Sequence, residues 1–277
     1  MAADPAFASF EHEWLDAHPE YAVASVFLPD GVRLTANAFG CLVDELDTAT
    51  QLRDPQVATA KVTWWHDELA AALRGRVSHP VTQALFAHDL AEAGEPGLWL
   101  ALADATLQRP GVGVCSTLSA VFARHAPFHR AAAHVDAALR GHADADIDND
   151  ATLWTISFLL RQLARLDGDD ERLALPLDLL ARQGLTRAQL SSASERRNAL
   201  LRDYLDVLAG AMRNALAGPR AGGLYRRVRT CLDRSLISAA QAATDPLSHL
   251  REQSRAGRWA CLWAAWREAR AMTRSAR

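Results

Sequence analysis

Residues 54–69 read DPQVATAKVTWWHDEL. The preceding apolar positions Leu34, Ala38, Cys41, Leu42, Leu46, Ala49 and Leu52 recur at helical spacing. Asp54-Pro55 closes that helix, because a residue before proline resists the helical region. A second helix then begins and runs toward Gly75. Its side chains at Trp64 and Trp65 point about 100° apart. Two large rings on adjacent positions therefore cannot both face one core, and Asp67 and Glu68 stand beside them.

The same helical pattern extends through the chain. Helices are expected over 31–52, 80–93, 97–107, 114–140, 151–166, 175–183, 186–217, 223–243 and 256–275, with loops at 142–150 and 218–223. Strand-like alternation is hard to find, and neither loop resembles a domain linker. An all-α bundle in one domain over residues 1–277 is the expected fold. The 277 residues are 49% hydrophobic and carry a net charge of -3, without the basic excess that a nucleic-acid binder would need. The acidic N-terminal stretch does not read as a signal peptide, and no apolar run is long enough to span a bilayer. Cys41, Cys115, Cys231 and Cys261 are scattered singly, which fits a reduced cytoplasm.

Two acidic clusters stand out. On the helix at 31–52, Arg33, Asn37, Gly40, Asp44, Asp47, Thr48 and Gln51 form one polar stripe, with Glu45 at its edge. Such a stripe is either solvated surface or a set of side chains aimed into a cavity. In a cavity its carboxylates would suit Mg²⁺, a hard ion that takes a few carboxylates together with substrate phosphates. The second cluster, Asp167, Asp169, Asp170 and Glu171, comes after an apolar helix. Gly168 makes a helix-ending turn the plainer reading.

The order FLP (27–29), ANAFGCLVDEL (36–46), DPQVATAKVTWWHDEL (54–69) and HPVTQAL (79–85) resembles the squalene/phytoene synthase family. The later block LLRQL…ERLALPLDLLARQGLTRAQL (159–190) resembles that family's Leu-Gln helix and the segment after it. The resemblance is clearest over 24–190. It implies an isoprenoid-synthase-type helical bundle around a central apolar cavity. There, two aspartate-rich motifs would hold Mg²⁺ ions on the diphosphates of prenyl substrates, which are condensed head to head. It also implies that the Trp-Trp helix is packed on two sides, with Asp67 and Glu68 left for the surface or local ion pairs. By position, Asp44, Glu45 and Asp47 would be the catalytic, metal-holding set on one side, with Asp167, Asp169 and Asp170 opposite. Arg33, Arg161 and Arg165 would be the diphosphate partners.

The sequence also departs from the family pattern. Aligned on Phe39, the Asp-Asp-x-x-Asp motif becomes Asp44, Glu45, Leu46, Asp47, Thr48, and the arginine expected two residues after the phenylalanine is Cys41. In the second cluster, counting from Gln162 places the first acid at Asp169, whereas counting back from Arg172 places it near Asp167. The Glu45-Leu46…Pro55…Trp64-Trp65 spacing also resembles the assembly-factor relatives of respiratory complex I. Two expectations therefore stand. One is a Mg²⁺-dependent prenyltransferase. The other is a non-catalytic relative that binds an isoprenoid lipid or a protein partner.

Three further features carry weaker signals. His125 and His129 have helical zinc spacing, but Pro127 lies between them and no third ligand is evident. Asp144, Asp146 and Asp148 mimic the start of a calcium loop without its later ligands, so a solvated loop with Asp150 capping the next helix is expected. In the last helix Trp259, Leu262, Trp263 and Trp266 share a face, and Arg258, Arg267, Arg270 and Arg274 enrich the rest. Closure of the bundle by the Trp face is the expected role, with peripheral membrane contact by a cytoplasmic protein the alternative.

Overall fold

A computed structural model of the chain describes residues 5–86, 95–109, 114–141, 146–166, 175–218, 222–252 and 257–275. Every regular element among them is helical. The Asp54-Pro55 boundary falls as the sequence requires. It separates α3 (Asp30–Thr50) from α4 (Pro55–Ala72), which come after α1 (Pro5–Ala17) and α2 (Pro19–Ser25). The Asp54 carboxylate caps α4 by accepting from the backbone N–H groups of Gln56 and Val57. The chain leaves the helix through Gly75, whose φ of 73° suits a residue without Cβ.

The Trp pair corrects the two-sided packing expected of α4. Trp65 is 1% exposed and sits in the core, whereas Trp64 is 46% exposed. The two rings meet edge to face, and His79 lies against both. Glu68 corrects its expected surface role. Its buried carboxylate accepts from the N–H groups of Ser78 and His79 and from the hydroxyls of Ser78 and Thr82. It thereby fastens α4 to the start of α5 (Pro80–Phe86). Burial would raise its pKa, but these donors hold it down at about 2. Glu68→Ala would strand those donors, and urea unfolding should show a loss of about 3 kcal/mol. Exposed Asp67→Ala should change stability by less than about 0.5 kcal/mol in the same assay.

The remaining helices are α6 (Pro96–Leu107), α7 (Leu118–Leu139), α8 (Ile147–Ala164), α9 (Leu177–Arg182), α10 (Glu195–Ala215), α11 (Leu224–Ala242), α12 (Pro246–Glu252) and α13 (Arg258–Ser275). Several boundaries differ from those that periodicity predicts. α1, α2 and α12 are additions to the expected set. Asp146, rather than Asp150, caps α8 by accepting from Asn149 N–H, while Asp150 is buried one turn in. The helix expected over 186–217 is two pieces, a 3-10 turn at Arg187–Ser191 and α10, which Ser194 starts by accepting from Arg197 N–H.

Three apolar clusters build the body. One joins α1, α3, α4, α5, α6 and α7 through residues such as Phe7, Leu42, Trp65 and Trp99. A second joins α7, α8, α9, α10, α11 and α12 through residues such as Ile156, Leu159 and Tyr204. The third is smaller and seats α13 on α2 and α11 through Ala24, Val228, Cys261, Ala264 and Ala265. A cavity remains between the first and third of these clusters, lined by Phe39 and Phe128 of the one and Leu224 and Met272 of the other.

Candidate functional site

The cavity measures about 370 Å³, within the range of ~300–1,000 Å³ common for small-molecule sites. It runs along α3 from Val32 to Asp47, a span of roughly 22 Å at the rise of a helix. Phe39 and Val43 of α3, Phe128 and Leu139 of α7, Trp154 of α8, Leu224 of α11 and Met272 of α13 give it apolar walls. Trp14, Tyr21 and Tyr225 close one side as a column of rings, with centroids 5.1 Å apart for Trp14–Tyr21 and 5.0 Å for Tyr21–Tyr225. Trp14 fits there because Gly40 offers no Cβ.

The polar stripe of α3 is turned inward over most of its length. Asn37 is buried and accepts from the Tyr225 hydroxyl while donating to Glu11. Gly40, Asp44 and Asp47 line the cavity. Gln51 donates to Asp47 and accepts from Gln162, which ties α3 to α8 below the cavity. Thr48 points outward, so the displaced acid, Asp47, is the one that faces inside.

At this polar end the carboxylates already have partners. Asp47 accepts from Arg109 at 2.8 Å and from Gln51 at 2.9 Å, and Arg161 lies 3.9 Å from its second oxygen. Asp44 meets His18 Nε2 at 3.4 Å, and the other ring nitrogen of His18 lies 3.8 Å from Glu20. Burial alone would lower the His18 pKa, but its contacts with Asp44 and Glu20 raise it. Burial would raise Asp44, but His18, Arg161 and Arg165 lower it. Deeper in, Arg226 donates to Ser157 and to the carbonyl of Leu153, and its guanidinium lies 4.4 Å from the Trp154 ring centre.

The structure gathers only part of the expected site. Asp44, Asp47 and Arg161 converge on the cavity. Glu45 does not join them, because it turns toward α4 and pairs with Lys61 at 3.0 Å. Arg33 pairs with Asp30 at the start of α3, and Arg165 is exposed at the end of α8. Asp167, Asp169, Asp170 and Glu171 lie outside the described residues. His129 lines the cavity but hydrogen-bonds Thr155, and burial drives its pKa far down. Burial likewise lowers His125, to about 3.

Of the Mg²⁺ donor set that the sequence laid out, the described residues hold only the α3 half. Both Asp47 oxygens are engaged, Glu45 faces away, and no group of three His, Cys, Asp or Glu side chains able to hold a metal occurs among the described residues. Sequence reasoning missed His18, Arg109, Arg226 and the aromatic column. The one signal in the chain was the spacing of Trp14, His18 and Tyr21, which the break at Pro19 obscured. Arg109 and Arg226 come from distant segments and gave no local signal.

No protein-family model matches the sequence, and no curated protein matches it. Solved structures do. A dehydrosqualene synthase crystallised in complex with ligand aligns over 97% of this chain and 96% of its own, with a TM-score of 0.74 and 14% identity. Squalene synthase HpnC from Alicyclobacillus acidocaldarius aligns over 84% of this chain and 92% of its own, with a TM-score of 0.65 and 15% identity. The chain thus has the all-α isoprenoid-synthase fold of squalene and dehydrosqualene synthases.

Proposed function

We propose that the chain is a synthase-like relative that binds a prenyl diphosphate, with the hydrocarbon in the α3 cavity and the diphosphate at Arg161. The observation that carries this reading is the long apolar cavity that ends on the Asp44, Asp47 and Arg161 cluster. Apolar walls take a prenyl chain without polar cost, and a guanidinium matches phosphate oxygens with fixed donors. A dehydrosqualene synthase of the same fold has been crystallised in complex with a ligand.

Isothermal titration with farnesyl and geranylgeranyl diphosphate, with and without Mg²⁺, tests it. Binding should weaken about 10–100-fold in Arg161→Ala, the loss expected for one charge-assisted contact. Absence of binding by either ligand would overturn the proposal. A second reading, Mg²⁺-dependent condensation, draws on the placement of Asp44 and Asp47 on one cavity wall. It requires Mg²⁺-dependent diphosphate release that Asp44→Ala abolishes. Tight binding without release would favour the non-catalytic alternative.

A further inference from the structure

The last helix inverts the packing expected from its sequence. α13 docks on the body through Cys261, Ala264, Ala265 and Glu268, which are all buried. Its tryptophans face outward, with Trp259 83%, Trp263 63% and Trp266 40% exposed, and Leu262 lies beside them. Arg270 continues the same face, with its guanidinium 5.2 Å from the Trp266 ring centre. Arg274 comes one turn later, and it too is exposed. Small residues inside let the helix lie close against α2 and α11, and this leaves the large rings no room within the body. Trp263 and Trp266 stack on each other at 5.2 Å rather than on the core.

We propose that this outer face of α13 binds the surface of an anionic lipid bilayer. Tryptophan suits the headgroup boundary, because its ring is apolar while its N–H needs a polar partner. The arginines on the same face match anionic headgroups, and the acid of the inner face, Glu268, is turned away. No helix among the described residues is long and apolar enough to cross a membrane, so contact here would lie along the surface. The placement also relates to the cavity. Met272, on the inner side of the same helix, lines the cavity together with Leu28 and Val32, at the end away from Asp47. Val26 and Val32 are exposed apolar side chains next to that end. A bilayer against α13 would thus lie beside the apolar end of the cavity, where a prenyl chain would enter.

Vesicle co-sedimentation of the full chain tests the surface directly. Vesicles of phosphatidylcholine alone are compared with equal mixtures of phosphatidylcholine and phosphatidylglycerol, and tryptophan emission is recorded in parallel. Expected are association with the mixed vesicles, a blue shift in emission, and weakening by high salt. Association should fall at least tenfold in Trp259→Ser/Trp263→Ser/Trp266→Ser and severalfold in Arg270→Glu/Arg274→Glu. These side chains are exposed, so circular dichroism should show both variants folded. Should the triple variant not fold, the arginine variant alone decides. Failure to associate with either vesicle would overturn the proposal. So would unchanged association in the variants, or concentration-dependent self-association through this face in place of lipid binding. No diphosphate is present, so the result stands apart from the ligand titrations.

Discussion

Arg229→Ala is expected to cost about 3–5 kcal/mol of stability at neutral pH, the usual penalty for stripping a buried charge network of one partner. The Arg229 guanidinium donates to Asp233 on its own helix and to Glu20 of α2 at 3.1 Å. Asp233 also accepts from Ser157 of α8, so one cation holds three helices together. Burial would push the Glu20 carboxyl up, but His18 and Arg229 hold it at about 2, against an ordinary 4.5. Because the folded state lowers this pKa, the stabilisation is complete above about pH 4.5 and is lost as pH falls toward 2. Without Arg229 that stabilisation should shrink, so the parent's lead over Arg229→Ala should narrow with acidification. Urea unfolding followed by circular dichroism at pH 7 and pH 3 measures both effects. An equal gap at the two pH values would contradict the assignment of Glu20 to this network. Since Glu20 also touches His18, which touches Asp44, damage here should reach the polar end of the cavity.

Gly40→Val should weaken prenyl diphosphate binding while leaving a folded but less stable protein. A Cβ at position 40 would fall 2.3 Å from Trp14 Cζ2 and 2.5 Å from Cη2. Both distances are far inside van der Waals contact, and Trp14 is backed by Tyr21 and Tyr225, so its ring can retreat only toward the cavity. Overpacking of this kind costs about 1–3 kcal/mol. The displaced ring or the new methyl groups would also take up cavity space, and titration with farnesyl diphosphate should show affinity lower by more than about tenfold, or ~1.4 kcal/mol. Gly31→Ala, on the same helix with nothing within 4 Å of its added Cβ, is the matched control and should leave binding unchanged. Loss of binding in both variants would point to a general effect of helix substitution rather than to the cavity wall.

The sequence carried the architecture because helices write themselves locally. Apolar spacing located most of α3 to α11, and the dipeptide Asp54-Pro55 set a boundary that the capping hydrogen bonds explain. The motif order from Phe27 to Leu190 pointed to the fold that the comparison with solved structures then showed. Hidden from that reading were α1 and the short helices α2 and α12, and in the two short ones the apolar pattern covers too few turns to declare a face.

The direction of each side chain was decided elsewhere. Trp64 and Trp65 are neighbours in sequence, yet one is core and the other surface, because only one side of α4 meets α3 and α6. Glu68 and Asp67 part in the same way. Glu45 looks like a metal ligand by position, but Lys61 of the adjacent helix claims it. Asp47 looks displaced by one residue, yet it faces the cavity and meets Arg109, 62 residues away in sequence. Local periodicity thus determined that this chain makes an all-α bundle with a polar stripe on α3. Which carboxylates share a space, which arginines answer them, and which face of α13 stays outside depend on helices brought together from distant segments. Charge pairing and close packing act across those contacts, and only the tertiary structure sets them.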